Sequence, residues 1–251
     1  SGDIALRSNS TVSTSSSASK SDDTSKVGDA GTVSLTASTG KITVSKSTIS
    51  NTVVDGNGSD ITIEAERVAL QEASNVNAST TGKGDAGAIE ITATAKNPDL
   101  TTAALTVDNS QITATTSNSG NAGNLSLTAN SGDIAIQSNS TVSTTTSGAG
   151  NSGSVAIASQ NLKVKDGSVV QARSLGTGAP GDIEVDVPNQ ITVSGTSKIG
   201  SSNPVRISEI STFSGKTANL SKNAGNIRIN QPGSPVNNLE LSERGRINAT
   251  T

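Results

Sequence analysis

The residues of this chain best suited to acid–base chemistry are its acidic pairs: Asp22 with Asp23, Glu64 with Glu66, and Glu240 with Glu243. Two carboxylates held close can divide the labour, one with a raised pKa acting as acid while the other stays ionised. None of the three pairs has a set of basic or acidic partners that recurs beside it, so each reads as a solvated face. The chain has no His and no Cys, which removes soft-ligand zinc and iron sites and any His-based triad or Cys nucleophile. One Phe, with no Tyr or Trp, leaves almost nothing for base or sugar stacking. Lys and Arg total 18 against 21 Asp and Glu, a net charge of −3 with the cations scattered, so no nucleic-acid partner is expected. The expectation is no enzyme, no metal and no cofactor.

A second set of polar residues is more regular. Asp29, Asn57, Asp85, Asn121, Asn151, Ala179 and Asn223 each stand two residues before a glycine or, once, before Ser59. The glycines are Gly31, Gly87, Gly123, Gly153, Gly181 and Gly225. A column that mixes Asn and Asp, with no two Asp in succession, fits a stacked turn ladder in which amides pass hydrogen bonds from copy to copy. Calcium-binding repeats place a carboxylate in every copy, and this column does not. The glycines are expected to supply positive φ at a tight corner.

The elements that position these residues repeat. The first aliphatic residue after each corner is Val33, Ile61, Ile89, Leu125, Val155, Ile183 and Ile227, at separations of 28, 28, 36, 30, 28 and 44 residues. The base period is 28, and longer separations hold insertions. A second aliphatic set follows at Ile4, Ile42, Val68, Leu105, Ile134, Leu162, Ile191 and Leu239. A third lies seven or eight residues further on, at Val12, Ile49, Val76, Ile112, Val142, Val169, Ile199 and Ile247. Apolar residues alternate with polar ones in each segment, the pattern of a strand with one buried face. Ser1–Ser17 and Ser131–Ser147 are almost the same sequence. Short strands with no helical segment between them, recurring at a fixed period, imply coils stacked strand on strand at about 4.8 Å. The reading is an all-β, right-handed parallel β-helix (solenoid) with three strands per coil and about eight coils. Right-handed winding is the default for parallel connections. All six prolines fall outside the apolar centres of the strands, as a ladder of hydrogen bonds requires.

A narrow solenoid explains how 31% hydrophobic residues can suffice. Val, Ile, Leu and Ala fill such an interior without large aromatic side chains, and a lone coil gains stability only by stacking on its neighbours. Residues 1–251 form one solenoid segment, read as a window of a longer repeat protein whose open ends favour end-to-end association. Insertions are expected near 15–27, 93–104, 200–222 and 230–238. Phe213 falls in the third of these, either as an exposed contact or as the anchor that pins its own loop to the sheet. Polysaccharide lyases on such a fold need Arg or Lys beside calcium-binding Asp, and no such set is visible. An ice-binding reading needs a regular Thr array. The outward column Ser13, Ser50, Asn77, Thr113, Ser143, Gln171, Gly200 and Asn248 is too irregular for it.

The repeats GKGDAGAIEITA, GNAGNLSLTA, GAGNSGSVAIAS and NLKVKDGSVVQARSLGTGAPGDIEV resemble those of filamentous-haemagglutinin-type exoproteins, closest in flavour to large cyanobacterial surface proteins of that kind. The resemblance covers essentially the whole chain. It implies a right-handed β-helix from a secreted bacterial protein, exported by two-partner secretion through an outer-membrane transporter. Its place would be extracellular, at the cell surface, as the shaft of a filament or adhesin. The partners it implies are further copies or neighbouring repeats end to end and a cell-surface or polysaccharide receptor. The family's N-terminal secretion domain is not visible in this sequence. The alternatives are a carbohydrate-active β-helix enzyme and a surface module that holds a ligand in its loops.

Overall fold

The computed structural model describes residues 2–17, 28–95, 102–198, 205–215, 223–230 and 235–251. These residues form a parallel β-helix whose strands stack into three faces. The first face contains Ile89–Ala93, Leu125–Ala129, Val155–Ala158, Ile183–Asp186 and Ile227–Ile229. The second contains Ile4–Leu6, Leu105–Asp108, Ile134–Gln137, Asn161–Lys165, Gln190–Ser194 and Asn238–Ser242. Two long strands, Val33–Ser45 and Ile61–Gln71, run through both faces and join them into one 13-stranded sheet. The third face is a sheet of eight strands, from Thr11–Ser16 and Thr48–Val53 to Glu209–Ser214 and Arg246–Thr250.

The stacking register follows the aliphatic sets. On the first face Leu125 pairs Ile89 on one side and Val155 on the other. On the second face Ile134 pairs Leu105 and Leu162. Side chains at these positions leave water completely: Ile61, Ile89, Leu105, Ile112, Ile134, Leu162 and Ile191 are all 0% exposed. Between Ala37 and Lys41 the pairing with the next coil slips, because Val33–Ser45 carries extra residues where Ile61–Gln71 turns the same corner.

Two assignments on the third face need correction. Val142 pairs Val170, not Val169, and Val170 pairs Ile210, not Ile199. Val169 lies in the outward column with Thr141 and Glu209. The stretch expected as one insertion at 200–222 is divided. Glu209–Ser214 is a regular third-face strand, and Thr196–Lys198 pairs antiparallel with Val205–Ile207 as a small ribbon inserted before it. This ribbon lengthens the second-to-third connection, which the sequence pattern presents as nearly constant. Ile199 lies eight residues after Ile191, so spacing alone mimics the strand, whereas the observed strand begins beyond the ribbon. Residue 199 and the inner parts of the four insertions (18–27, 96–101, 199–204, 216–222 and 231–234) lie outside the described residues.

Candidate functional site

The corner before the first face is built from the Asn/Asp column and the glycines. The Asp29 Oδ1 accepts the backbone N–H of Asn57 at 2.7 Å, and the Asn57 Oδ1 accepts that of Asp85 at 3.2 Å. Asp85 repeats this with Asn121 at 2.6 Å, Asn121 with Asn151 at 2.9 Å, and Asn151 with Ala179 at 2.8 Å. The ladder is therefore side chain to backbone, rather than amide to amide. Any residue with an oxygen at that position serves, which is why Asn and Asp alternate freely. One amide-to-side-chain bond is superimposed on it, from the Asn121 Nδ2 to the Asp85 Oδ1 at 3.1 Å. From Asn57 to Ala179 the backbone carbonyl also holds the preceding coil, as the Asn121 carbonyl accepts the N–H of Ala86 at 2.9 Å. Ala179 offers no side-chain oxygen to Asn223, which is exposed.

A second column escapes a search by residue type. The residue just before a first-face strand plays the same part, except at Ala88, which has no side-chain oxygen: Asp60 Oδ1 accepts Ala88 N–H at 2.8 Å and Asn124 Oδ1 accepts Ser154 N–H at 2.9 Å. Ser154 Oγ accepts Asp182 N–H at 3.2 Å, and Asp182 Oδ1 accepts Asn226 N–H at 2.7 Å. Asp, Asn and Ser share only a short side chain with an acceptor oxygen. That property, tested at the position before each strand, is the signal that finds them.

The corner glycines have a different cause from the one expected. Among the described glycines only Gly167 and Gly195 have positive φ, 75° and 86°. Gly87, Gly123, Gly153, Gly181 and Gly225 instead lie under the carbonyl oxygen of the coil before. A Cβ built on Gly123 would stand 1.9 Å from the Gly87 oxygen, and one on Gly153 would stand 2.1 Å from the Gly123 oxygen. Gly31 is the exception, its nearest neighbour being the Thr14 Cγ2 at 3.8 Å. At the Ser59 level the column does admit a side chain, whose hydroxyl donates to the Ala30 carbonyl.

Left-handed backbone is found at the corner between second and third faces, and mostly without glycine. Ser8 and Asn9, Glu72 and Ala73, Asn109, Ser138 and Asn139, and Asp166 have φ between 46° and 67°. A serine column secures that corner. The Ser140 Oγ accepts the Ser110 N–H at 3.1 Å and donates toward the carbonyls of Gln137 at 2.6 Å and Val107 at 2.9 Å. Ser74 and Ser168 take equivalent places, receiving the N–H of Ser47 and Ser140. The column continues through Ser208, whose Oγ receives the Gly167 N–H at 3.0 Å. Arg206 of the antiparallel ribbon reaches the same corner, donating to the Asn139 carbonyl at 2.8 Å and the Thr141 Oγ1 at 2.7 Å. Burial lowers the pKa of this guanidinium by penalising its charge. Its carbonyl and hydroxyl partners replace part of the lost water.

Phe213 stands on the outer side of the regular strand Glu209–Ser214, paired with Arg173 and Thr250, and so is not a loop contact. The Arg173 guanidinium lies 5.6 Å from its ring centroid, within the range of a cation–π contact. Glu64 is exposed on the first face, Glu66 is half-buried at the following corner, and Glu240 and Glu243 are exposed in the last described coil. Asp22 and Asp23 lie outside the described residues. No three His, Cys, Asp or Glu side chains come together as metal ligands among the described residues.

Comparison with protein-family models, curated proteins and solved structures returned no match.

Proposed function

We propose that this chain is a structural element, the shaft of an extracellular filament or adhesin of the filamentous-haemagglutinin type, extended by coils of its own kind. The observation that carries the reading is that an internal junction can be reproduced between its two end coils. Ile4, Leu6, Val12 and Thr14 occupy the inward positions that Ile134, Ile136, Val142 and Thr144 occupy in the duplicated segment. The latter stack on Leu105, Val107, Ile112 and Ala114. The last coil offers Leu239, Leu241, Ile247 and Ala249 in the same order. Leu239 and Leu241 are 43% and 48% exposed, so a coil placed on them buries apolar area at roughly 25 cal/mol per Å² and completes open strand edges.

The incoming coil is supplied by a neighbouring repeat or by another copy. In the parent protein, secretion through an outer-membrane transporter and a polysaccharide or cell-surface receptor complete the proposal. The test is assembly of the purified chain, followed by light scattering and electron microscopy. Concentration-dependent rods that Ile247→Asp abolishes are the expected result, and particles of unchanged size at every concentration overturn the reading. A carbohydrate-active enzyme remains the competing reading, and hydrolysis or lyase assays on soluble polysaccharides distinguish it.

A further inference from the structure

The three outer faces differ in charge. The first carries Glu64, Glu90, Glu184, Asp186 and Arg228. The third is different over its first five strands. Its outward positions are Thr11, Ser13 and Ser15; Thr48, Ser50 and Thr52; Asn75, Asn77 and Ser79; Gln111, Thr113 and Thr115; and Thr141, Ser143 and Thr145. Every one is a hydroxyl or a primary amide, none carries a charge, and all but the buried Ser143 reach the surface.

Their lateral spacing is fixed by the sheet, about 4.8 Å between strands and about 6.6 Å between alternate residues along one. The side chains are also held to each other. Thr113 Oγ1 donates to Asn77 Oδ1 at 3.1 Å, Asn77 Nδ2 to Ser79 Oγ at 3.3 Å, and the Ser143 and Thr145 hydroxyls lie 2.9 Å apart. Such a surface presents donors and acceptors in equal measure at little further cost in side-chain entropy.

We propose that this face binds an uncharged polysaccharide. Hydroxyls and amides match the hydroxyls of a neutral glycan, each of which both donates and accepts, and the fifteen positions carry no cation for an anionic polymer; the cations at their edge are engaged, Arg206 with the Asn139 carbonyl and the Thr141 hydroxyl and Arg173 with the Phe213 ring. The one aromatic ring of the chain, Phe213, lies beyond Thr145 and Arg173 in a single column on the same face, with the Arg173 guanidinium over it. A second copy of the chain fits less well. Five strands by five residues offer roughly 400 Å² of plane, against about 800 Å² per partner in a stable protein complex. A ligand that repeats along its length compensates for weak single contacts by multivalency.

The proposal rests on the shaft reading only in that end-to-end assembly multiplies the face. Binding is therefore measured on the unassembled chain as well as on rods, so that each idea fails separately. The probes are microcrystalline cellulose and chitin particles, with alginate gel as the acidic counterpart, in co-sedimentation at low and at molar salt. Adsorption to a neutral glycan that persists in molar salt is expected. The double variant Ser50→Lys with Thr113→Lys is expected to lose about tenfold in affinity. Thr62→Lys with Ser126→Lys on the first face, matched for melting temperature, is expected to lose none. Three results overturn the proposal: no adsorption to either neutral glycan, adsorption only to alginate that salt removes, or equal losses in the two double variants.

Discussion

Two of the three corners of each coil solve the same problem in opposite ways. At the corner before the first face the chain keeps ordinary negative φ and removes the side chain, because the coils approach too closely for a Cβ. At the corner before the third face the chain keeps its side chains and accepts a left-handed backbone, held by the serine column. A glycine before the first face thus marks where coils touch, and a serine before the third face marks where the backbone bends. An L-residue in the left-handed region costs about 1–2 kcal/mol, and the serine bonds from two coils offset it.

Substitutions can break this contrast, beginning with the glycine column. Gly123→Ala forces a methyl group into the Gly87 carbonyl, and overpacking of this kind costs about 1–3 kcal/mol or more. Gly31→Ala, with open space around it, is expected to leave the denaturation midpoint unchanged. Equal effects in urea melts would remove close approach as the reason for glycine. Next comes Ser140→Ala, which leaves the Ser110 N–H in the interior without its acceptor, at about 1–3 kcal/mol. Asn121→Asp is smaller. It sets a carboxylate beside Asp85 and loses the amide donation, about 1 kcal/mol at this exposed position and less in high salt. Asn151→Asp, whose neighbours are Asn121 and Ala179, is expected to cost less still, and identical salt-dependent melts for the two variants would argue against the register. Smallest of all, Ala73→Gly relieves φ of 61° and is expected to stabilise by about 0.5 kcal/mol. A loss of stability there would show that Ala73 is not strained.

The first and second faces were fully legible because Val, Ile and Leu alternate there with period two, and one-residue slips would expose them. The third face was legible for six of its eight strands. At Val169–Val170 two adjacent aliphatic residues satisfy the pattern in either register, and the choice is made by Ser168 Oγ receiving the Ser140 N–H. At Ile191 the inserted ribbon defeats a rule based on spacing, since Gly195 at φ 86° turns the chain out of the coil before the strand resumes at Glu209. The Asn/Asp column was visible as a column, but its chemistry was not. Sequence shows that oxygen-bearing residues recur, while only coordinates show that the partner is the next coil's backbone. The hydroxyl and amide face was hidden in a composition that resembles low-complexity sequence until register set its residues side by side.

The central claim is that successive coils are tied through their corners as well as through their strands. Residue-resolved hydrogen exchange tests it most directly. The backbone amides of Asn57, Asp85, Asn121 and Asn151 belong to exposed residues, yet each is bonded to a side chain of the preceding coil. The account predicts protection at these four amides comparable to that of Leu125 and Ile134 within the strands. Exchange at the rate of open loops, with the strand amides still protected, would contradict it.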